Sequence, residues 1–416
     1  MIVRKNKNFY GGKNMKRFLA LLLALCMVFA LCACNSDSGK KEDPNASNDY
    51  EVTNKEYKVA MITDYGDITD KSFNQTTYEA CKEFCKDNGV AFKYYKPTDN
   101  NTDARVKSTE QAISEGYNII VMPGYAFAGT LVEVAPQYPD VKFVALDVAE
   151  GDLLEAAVGA AGEEYDFNPS NWDLKDYFDM SNVYCAVYQE ELCGYMAGYA
   201  AVQFGYEKLG FLGGMAVPAV IRYGYGFVQG ADAAAQELDK QIEINYVYGG
   251  QFFGDADITA VMDTWYQGGT QVVFACGGGI YTSAAEAAAK ANGKVIGVDV
   301  DQAAIIDEYG EGMTVTSAMK GLAPTTIDTL KGIVAGNWDK YAGKIQTLGL
   351  VSGEDPTLNY VQIPMESTQW TSEFGKEDYI ALVAKMFAGE ITVSNDVTAM
   401  PKVSANTTID DQGKIK

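Results

Sequence analysis

Two α/β lobes around a ligand cleft are what this 416-residue chain predicts, on three observations. From Tyr57 onward, short apolar runs alternate with amphipathic stretches, the rhythm of parallel strands joined by crossover helices. The rhythm stops at Asp147 and restarts after Ser181, giving two series of similar length. An export-type leader precedes both series, so the lobes belong to an exported chain.

In the first series, 58–63 (KVAMIT) reads as a buried strand and 72–88 as a helix. Strand 91–96, helix 104–115, strand 118–122 (NIIVM), helix 127–135 and strand 141–146 (VKFVAL) follow. Residues 148–181 are acidic and irregular, with no core pattern. The second series has strands at 182–188, 208–212, 242–247, 271–275, 294–298 and 314–317. Helices at 190–203, 221–238, 258–266, 283–291 and 323–335 are placed between and after them. From Asn337 the pattern turns β-rich and then tails off.

Apolar residues make up 47% of the chain and charged ones 21%, enough for a sizeable core. Histidine is absent, which removes Ser-His-Asp and Cys-His catalysis and His-based zinc sites. The net charge of −23, with no basic cluster in the folded part, argues against nucleic acid as partner. Residues 18–31 form an apolar run of 14, too short to span a bilayer but suited to a signal peptide, with Lys16 and Arg17 as its positive flank. The run ends Leu31-Cys32-Ala33-Cys34, which resembles a bacterial lipobox with Cys34 as the lipidated residue; 35–56 then reads as a polar, disordered tether. Codons for Gly11-Gly12-Lys13-Asn14 readily contain a ribosome-binding site, so Met15 is the expected initiator. Residues 1–33 carry six positive and no negative charges, so their removal takes −23 to −29. Cys81, Cys85, Cys185, Cys193 and Cys276 remain and read as buried thiols, since five is odd and an i,i+4 helical pair makes a poor disulfide.

Candidate site residues gather at strand C-terminal ends, where open α/β sheets bind ligands. Asp64 ends the first strand and is either a cap or a ligand acceptor. In Asp70-Lys71-Ser72-Phe73-Asn74-Gln75, Asp70 either caps the next helix while Phe73 enters the core, or the segment faces the crevice. Asp147 ends VKFVAL with no predicted helix to cap, and Asp299 and Asp301 end another apolar strand. Gly277-Gly278-Gly279 matches neither a dinucleotide fingerprint nor a P-loop; it suits close backbone approach to a neutral ligand or a purely steric turn. Residues 99–110 mimic a calcium loop but lack the glycine at its sixth position and put Arg105 and Lys107 at ligand positions, so they read as a capped helix start. Lys320 by itself reads as a surface lysine.

DKSFNQ after a first strand ending in Asp64, Gly213-Gly214-Met215 after another strand, Gly297-Val298-Asp299-Val300-Asp301-Gln302, and Thr316-Ser317-Ala318-Met319-Lys320 occur in this order. The combination, running over about 58–336, resembles the basic membrane protein family of purine-nucleoside-binding lipoproteins that serve ABC importers. The resemblance implies that Asp64 and Asp147 meet polar edges of a base and that Phe73 stacks on it. It gives Asp299 and Lys320 the ribose hydroxyls, with Asn74 beside them. A second stacking aromatic would be Phe252, with Tyr248 as alternate, and Tyr188 would add an aromatic near the hinge. The aromatic and carboxylate lining agrees with the chemistry of a flat heterocycle carrying vicinal hydroxyls.

The expected fold is a two-lobed, type I periplasmic-binding-protein-like α/β structure. Lobe one would hold 57–187 and about 321–340, lobe two 188–320 and about 341–365, with 366–416 as a C-terminal extension. The expected function is capture of a nucleoside outside the cytoplasmic membrane for an ABC permease, without catalysis, cofactor or metal. Alternatives are a sugar or other small polar ligand, or a sensor lipoprotein presenting its lobes to a membrane receptor.

Overall fold

The computed structural model describes residues 48–415; the Cys34 expectation lies outside them. Lobe one is built from β1 (Lys58–Ile62), α1 (Phe73–Asp87), β2 (Ala91–Tyr95), α2 (Thr102–Ser114), β3 (Ile119–Pro123), α3 (Ala128–Val134), β4 (Lys142–Leu146), α4 (Glu150–Ala160) and β5 (Val183–Tyr188). Lobe two takes α5 (Glu190–Gln203), β6 (Lys208–Gly213), α6 (Pro218–Glu237), β7 (Ile242–Tyr248), α7 (Ala256–Gln267), β8 (Val272–Cys276), α8 (Tyr281–Ala291), β9 (Lys294–Asp299), α9 (Ala303–Ile306) and β10 (Thr314–Lys320). After these come α10 (Leu322–Val334), β11 (Lys344–Leu348), β12 (Val361–Gln362), α11 (Lys376–Phe387) and β13 (Thr407–Lys414).

The strand sequences explain the architecture. β3 (IIVMP) and β8 (VVFAC) are buried along their whole length, as strands covered by helices on both faces must be. One sheet runs β2-β1-β3-β4-β5-β11 and the other β13-β7-β6-β8-β9-β10-β12, parallel except for the β10–β12 pair. Each sheet therefore reverses its winding beside its first strand, between β1 and β3 and between β6 and β8, and that switch point is where such sheets open a crevice. The lobes also correspond strand for strand. A glycine with positive φ follows each third strand (Gly124, 129°; Gly277, 148°), and the fourth strands lead into Asp147 (φ 60°) and Asp299 (φ 65°). Aspartate tolerates this left-handed backbone better than most side chains.

Helices α5 and α6 touch through glycine. A Cβ on Gly194 would lie 2.2 Å from the Tyr223 carbonyl oxygen, and one on Gly230 2.0 Å from that of Tyr195. Only bare backbone permits this approach, and it delivers Glu190 and Glu191 of one helix to Arg222 and Tyr223 of the other.

Four expectations need correction. The stretch after Asp147 opens with α4, whose Leu153, Leu154, Ala157 and Val158 are buried. Its glycines and acidic first turn obscured the period, although acids there suit a helix N-terminus. Strand β11 pairs with β5 in register Lys344–Tyr184 through Leu348–Tyr188, so 341–348 belongs to lobe one and the chain recrosses only between β11 and β12. The C-terminal part is integral to lobe two: Tyr379, Leu382, Val383 and Met386 of α11 enter the main core, and β13 runs parallel to β7. The end of the tether is pinned to lobe one, with Tyr50 Oη donating to Val90 O at 2.6 Å and Thr53 N to Gly89 O at 3.0 Å.

The chain thus crosses between lobes three times, and the crossings are tied side by side by backbone hydrogen bonds. Gln189 N donates to Leu348 O (2.9 Å), Tyr360 N to Gly349 O (3.0 Å) and Gly321 N to Tyr360 O (2.7 Å).

Candidate ligand-binding cleft

A cleft of about 520 Å³ lies between the lobes, a volume suited to one small molecule. Asp64, Phe73, Asn74 and Asp147 line it from lobe one, and Phe252, Gly277, Asp299 and Lys320 from lobe two. Tyr188 is the exception. It shares one face of β5 with Tyr184 and Ala186, which buries it in the core, where Lys320 Nζ sits 5.4 Å from its ring centre. Tyr248 is also core, its hydroxyl 2.9 Å from that of Tyr246, whereas Phe252 reaches the cleft.

The aspartates of lobe one divide by role. Asp70 accepts the backbone N–H groups of Ser72 (3.0 Å), Asn74 (2.9 Å) and Gln75 (3.0 Å) and the Asn74 Nδ2 (3.0 Å), so it caps α1. That cap holds Asn74 with its Oδ1 buried and without a hydrogen-bond partner among the described residues. Phe73 is left half-buried at the cleft. Asp64 folds its Oδ1 back onto Tyr65 N (2.6 Å) and Gly66 N (2.9 Å), and burial pushes its carboxyl above the usual range. Asp301 accepts Ala303 N (3.1 Å) ahead of α9 and takes the Ser367 hydroxyl (2.7 Å), away from the cleft lining.

Lys320 is a fully engaged buried cation. Its ammonium donates to Asp147 Oδ2 and lies 3.4 Å from Glu190 Oε1 and 3.7 Å from Asp299 Oδ1. It also sits over the rings of Phe73 (4.8 Å) and Tyr223 (5.6 Å), where cation–π attraction adds to the ion pairs. Burial opposes its charge, but Asp147, Glu190 and Asp299 outweigh that and hold it well above the usual lysine range. Burial pushes Asp147 up to about 6 even with Lys320 beside it, and its Oδ1 has no hydrogen-bond partner among the described residues. Asp299 accepts the Ser72 hydroxyl (2.6 Å) and the Tyr223 hydroxyl (3.3 Å).

Sequence reasoning singled out Asp147 and Asp299 but missed the third carboxylate beside that lysine, Glu190, and the charged groups around it. Glu190 is buried, its Oε2 taking Arg222 Nε at 2.7 Å, with Glu191 at 4.0 Å and raised by burial to about 7. A signal was available: Glu190 and Glu191 head a helix that is otherwise almost free of polar residues, and Arg222 interrupts a run of small and apolar ones. Tyr65 was also missed. Its ring lies 6.5 Å from that of Phe252, and its hydroxyl donates to Met215 Sδ at 3.2 Å, both contacts crossing between the lobes.

Two lobes joined by three crossings, with aromatic rings and buried ion pairs lining the cleft between them, are the architecture of a solute-binding protein for a small molecule. A family model described as ABC transporter substrate-binding protein PnrA-like matches residues 57–355, and the chain belongs to that family. It is a non-catalytic, extracytoplasmic, lipid-anchored binding protein of an ABC importer. Among similar proteins, the ABC transporter nucleoside-binding protein BmpA of Lactococcus lactis subsp. cremoris is 27% identical over 301 residues, covering 69% of this chain and 74% of that one. Basic membrane protein B of Borreliella afzelii is 25% identical over 314 residues, covering 74% and 82%. Of solved structures, an ABC transporter solute-binding protein from Aeropyrum pernix K1 superposes with a TM-score of 0.59 at 21% identity, covering 82% of this chain and 88% of that one. One from Conexibacter woesei gives 0.58 at 22%, covering 82% and 99%. These likenesses support the type I periplasmic-binding-protein-like fold.

Proposed function

We propose that the cleft captures a nucleoside, a purine one, and delivers it to the membrane permease. The observation that carries this reading is that Phe73 and Phe252 line one cleft from opposite lobes together with the buried Asp299–Lys320 pair. A flat heterocycle suits the rings, and a vicinal diol suits a carboxylate beside an ammonium, one accepting and the other donating. Asp64, Asn74 and Asp147 offer further acceptors for ring-edge N–H groups. The nucleoside-binding relative from Lactococcus supports the same ligand class. Cys34 carries the lipid in this reading. Calorimetry of the mature protein against guanosine, inosine, adenosine, the free bases and a panel of sugars tests it. Purine nucleosides should bind more tightly than bases or sugars by at least ten-fold, and a sugar binding best would overturn the proposal.

A further inference from the structure

Two charged residues at the cleft have no part in the reading so far. Arg222, near the start of α6, uses Nε to hold Glu190 at 2.7 Å, while neither of its Nη nitrogens has a hydrogen-bond partner among the described residues. Asp152, in the first turn of α4, accepts Ala149 N at 2.8 Å through Oδ2, and its Oδ1 has no partner among them either. Both line the cleft, from opposite lobes, and the Arg222 charge acts on Asp152 against the burial that raises that carboxyl to about 6. A continuous charged chain ties this corner to the sugar end: Arg222 to Glu190, Glu190 to Lys320, Lys320 to Asp299.

We propose that Arg222 and Asp152 form a further subsite for one uncharged group that both gives and takes a hydrogen bond, namely the C5′ hydroxymethyl of the nucleoside. The proposal rests on the nucleoside reading above. A hydroxyl can donate to Asp152 Oδ1 while accepting from an Arg222 Nη. A phosphate cannot donate in its dianionic form, and it would bring a charge of about −1.5 to −2 to a corner where Glu190, Glu191 and Asp152 already outnumber the cations Arg222 and Lys320. The corner therefore selects nucleosides against their 5′-phosphates.

The test is calorimetry of the wild-type protein with guanosine, 5′-deoxyguanosine and guanosine 5′-monophosphate, repeated on Asp152→Asn. Asparagine keeps an oxygen for Ala149 N–H but loses the charge. Loss of the 5′-hydroxyl should weaken wild-type binding about ten-fold or more, the usual effect of losing a hydrogen bond to a charged group. Asp152→Asn should bind guanosine more weakly, shrink the gap to the 5′-deoxy compound, and lessen the discrimination against the monophosphate. If guanosine binds and 5′-deoxyguanosine binds equally well, the subsite is wrong and the nucleoside reading stands. If no nucleoside binds, both fall. The wild-type arm decides the matter even where the variant folds poorly.

Discussion

Lys320→Met would withdraw an ammonium from among three carboxylates, and they do not share the loss equally. Glu190 keeps Arg222 at 2.7 Å, and Asp299 keeps the hydroxyls of Ser72 at 2.6 Å and Tyr223 at 3.3 Å. Asp147 keeps nothing, because Oδ2 loses its donor and Oδ1 has none among the described residues. Stranding one member of a buried ion pair costs about 3–5 kcal/mol, so the variant should be less stable by about that amount at pH 7.5. The sign with pH follows from Asp147. Its carboxyl stands at about 6 in the folded protein against an ordinary 3.8, so the folded state holds the proton more tightly. The stability this contributes is full below 3.8 and lost as pH rises through 6. Removing Lys320 drives the folded value higher still, so the penalty should shrink as pH falls from 7.5 to 5. Adding Asp147→Asn removes the stranded charge and should restore most of the loss. Urea unfolding without ligand, for wild type, both single variants and the double variant at the two pH values, measures each part. A Lys320→Met protein as stable as wild type at pH 7.5, or a double variant weaker than it, would refute the reasoning.

Phe73→Ala should leave thermal melting nearly unchanged, because the ring is only half-buried, but weaken nucleoside binding by about 1–3 kcal/mol, with Phe73→Trp restoring it; strong destabilisation with unchanged affinity would mark Phe73 as core. Asp299→Ala should weaken nucleosides about ten-fold or more and free bases much less, and equal losses in calorimetry would remove its ribose role. Cys34→Ser should move the protein from the membrane to the soluble fraction of broken cells; unchanged sedimentation would place the anchor elsewhere.

The architecture was legible because its signals are local. Runs such as NIIVM and VVFAC have few alternatives to a buried strand, and the alternation of strand and helix then dictates a parallel sheet. The cleft residues at strand ends followed from topology: Asp64, Asp147 and Asp299 each sit at the end of a strand or just past it. What escaped depends on long-range pairing. β11 (KIQTL) is an exposed edge strand of mixed polarity, and only its partner β5 reveals its lobe. Lys320 reads as a surface lysine in sequence because its three carboxylates come from positions 147, 190 and 299. Helix α4 was hidden by its own chemistry, since glycines at 151 and 159 dilute the apolar stripe while the buried residues are correct.

The same groups serve the ligand reading and the contact between lobes. Ser72 of lobe one donates to Asp299 of lobe two, Lys320 of lobe two donates to Asp147 of lobe one, and Gln302 Nε2 reaches the Lys71 carbonyl at 3.1 Å. A ligand favours lobe closure only through contacts it makes better in the closed arrangement. A diol at Asp299 need not displace Ser72, because a carboxylate offers about four acceptor positions and the two hydroxyls use one each. At Lys320 the ligand must instead share donors with Asp147 and Glu190, so part of any gain there is offset by weakened ion pairing. In the nucleoside reading, the net drive to closure would therefore come from the Asp299 side and the aromatic faces. Backbone hydrogen bonds at Gln189, Gly321 and Tyr360 tie the three crossings side by side, so in this reading the lobes would turn about them together.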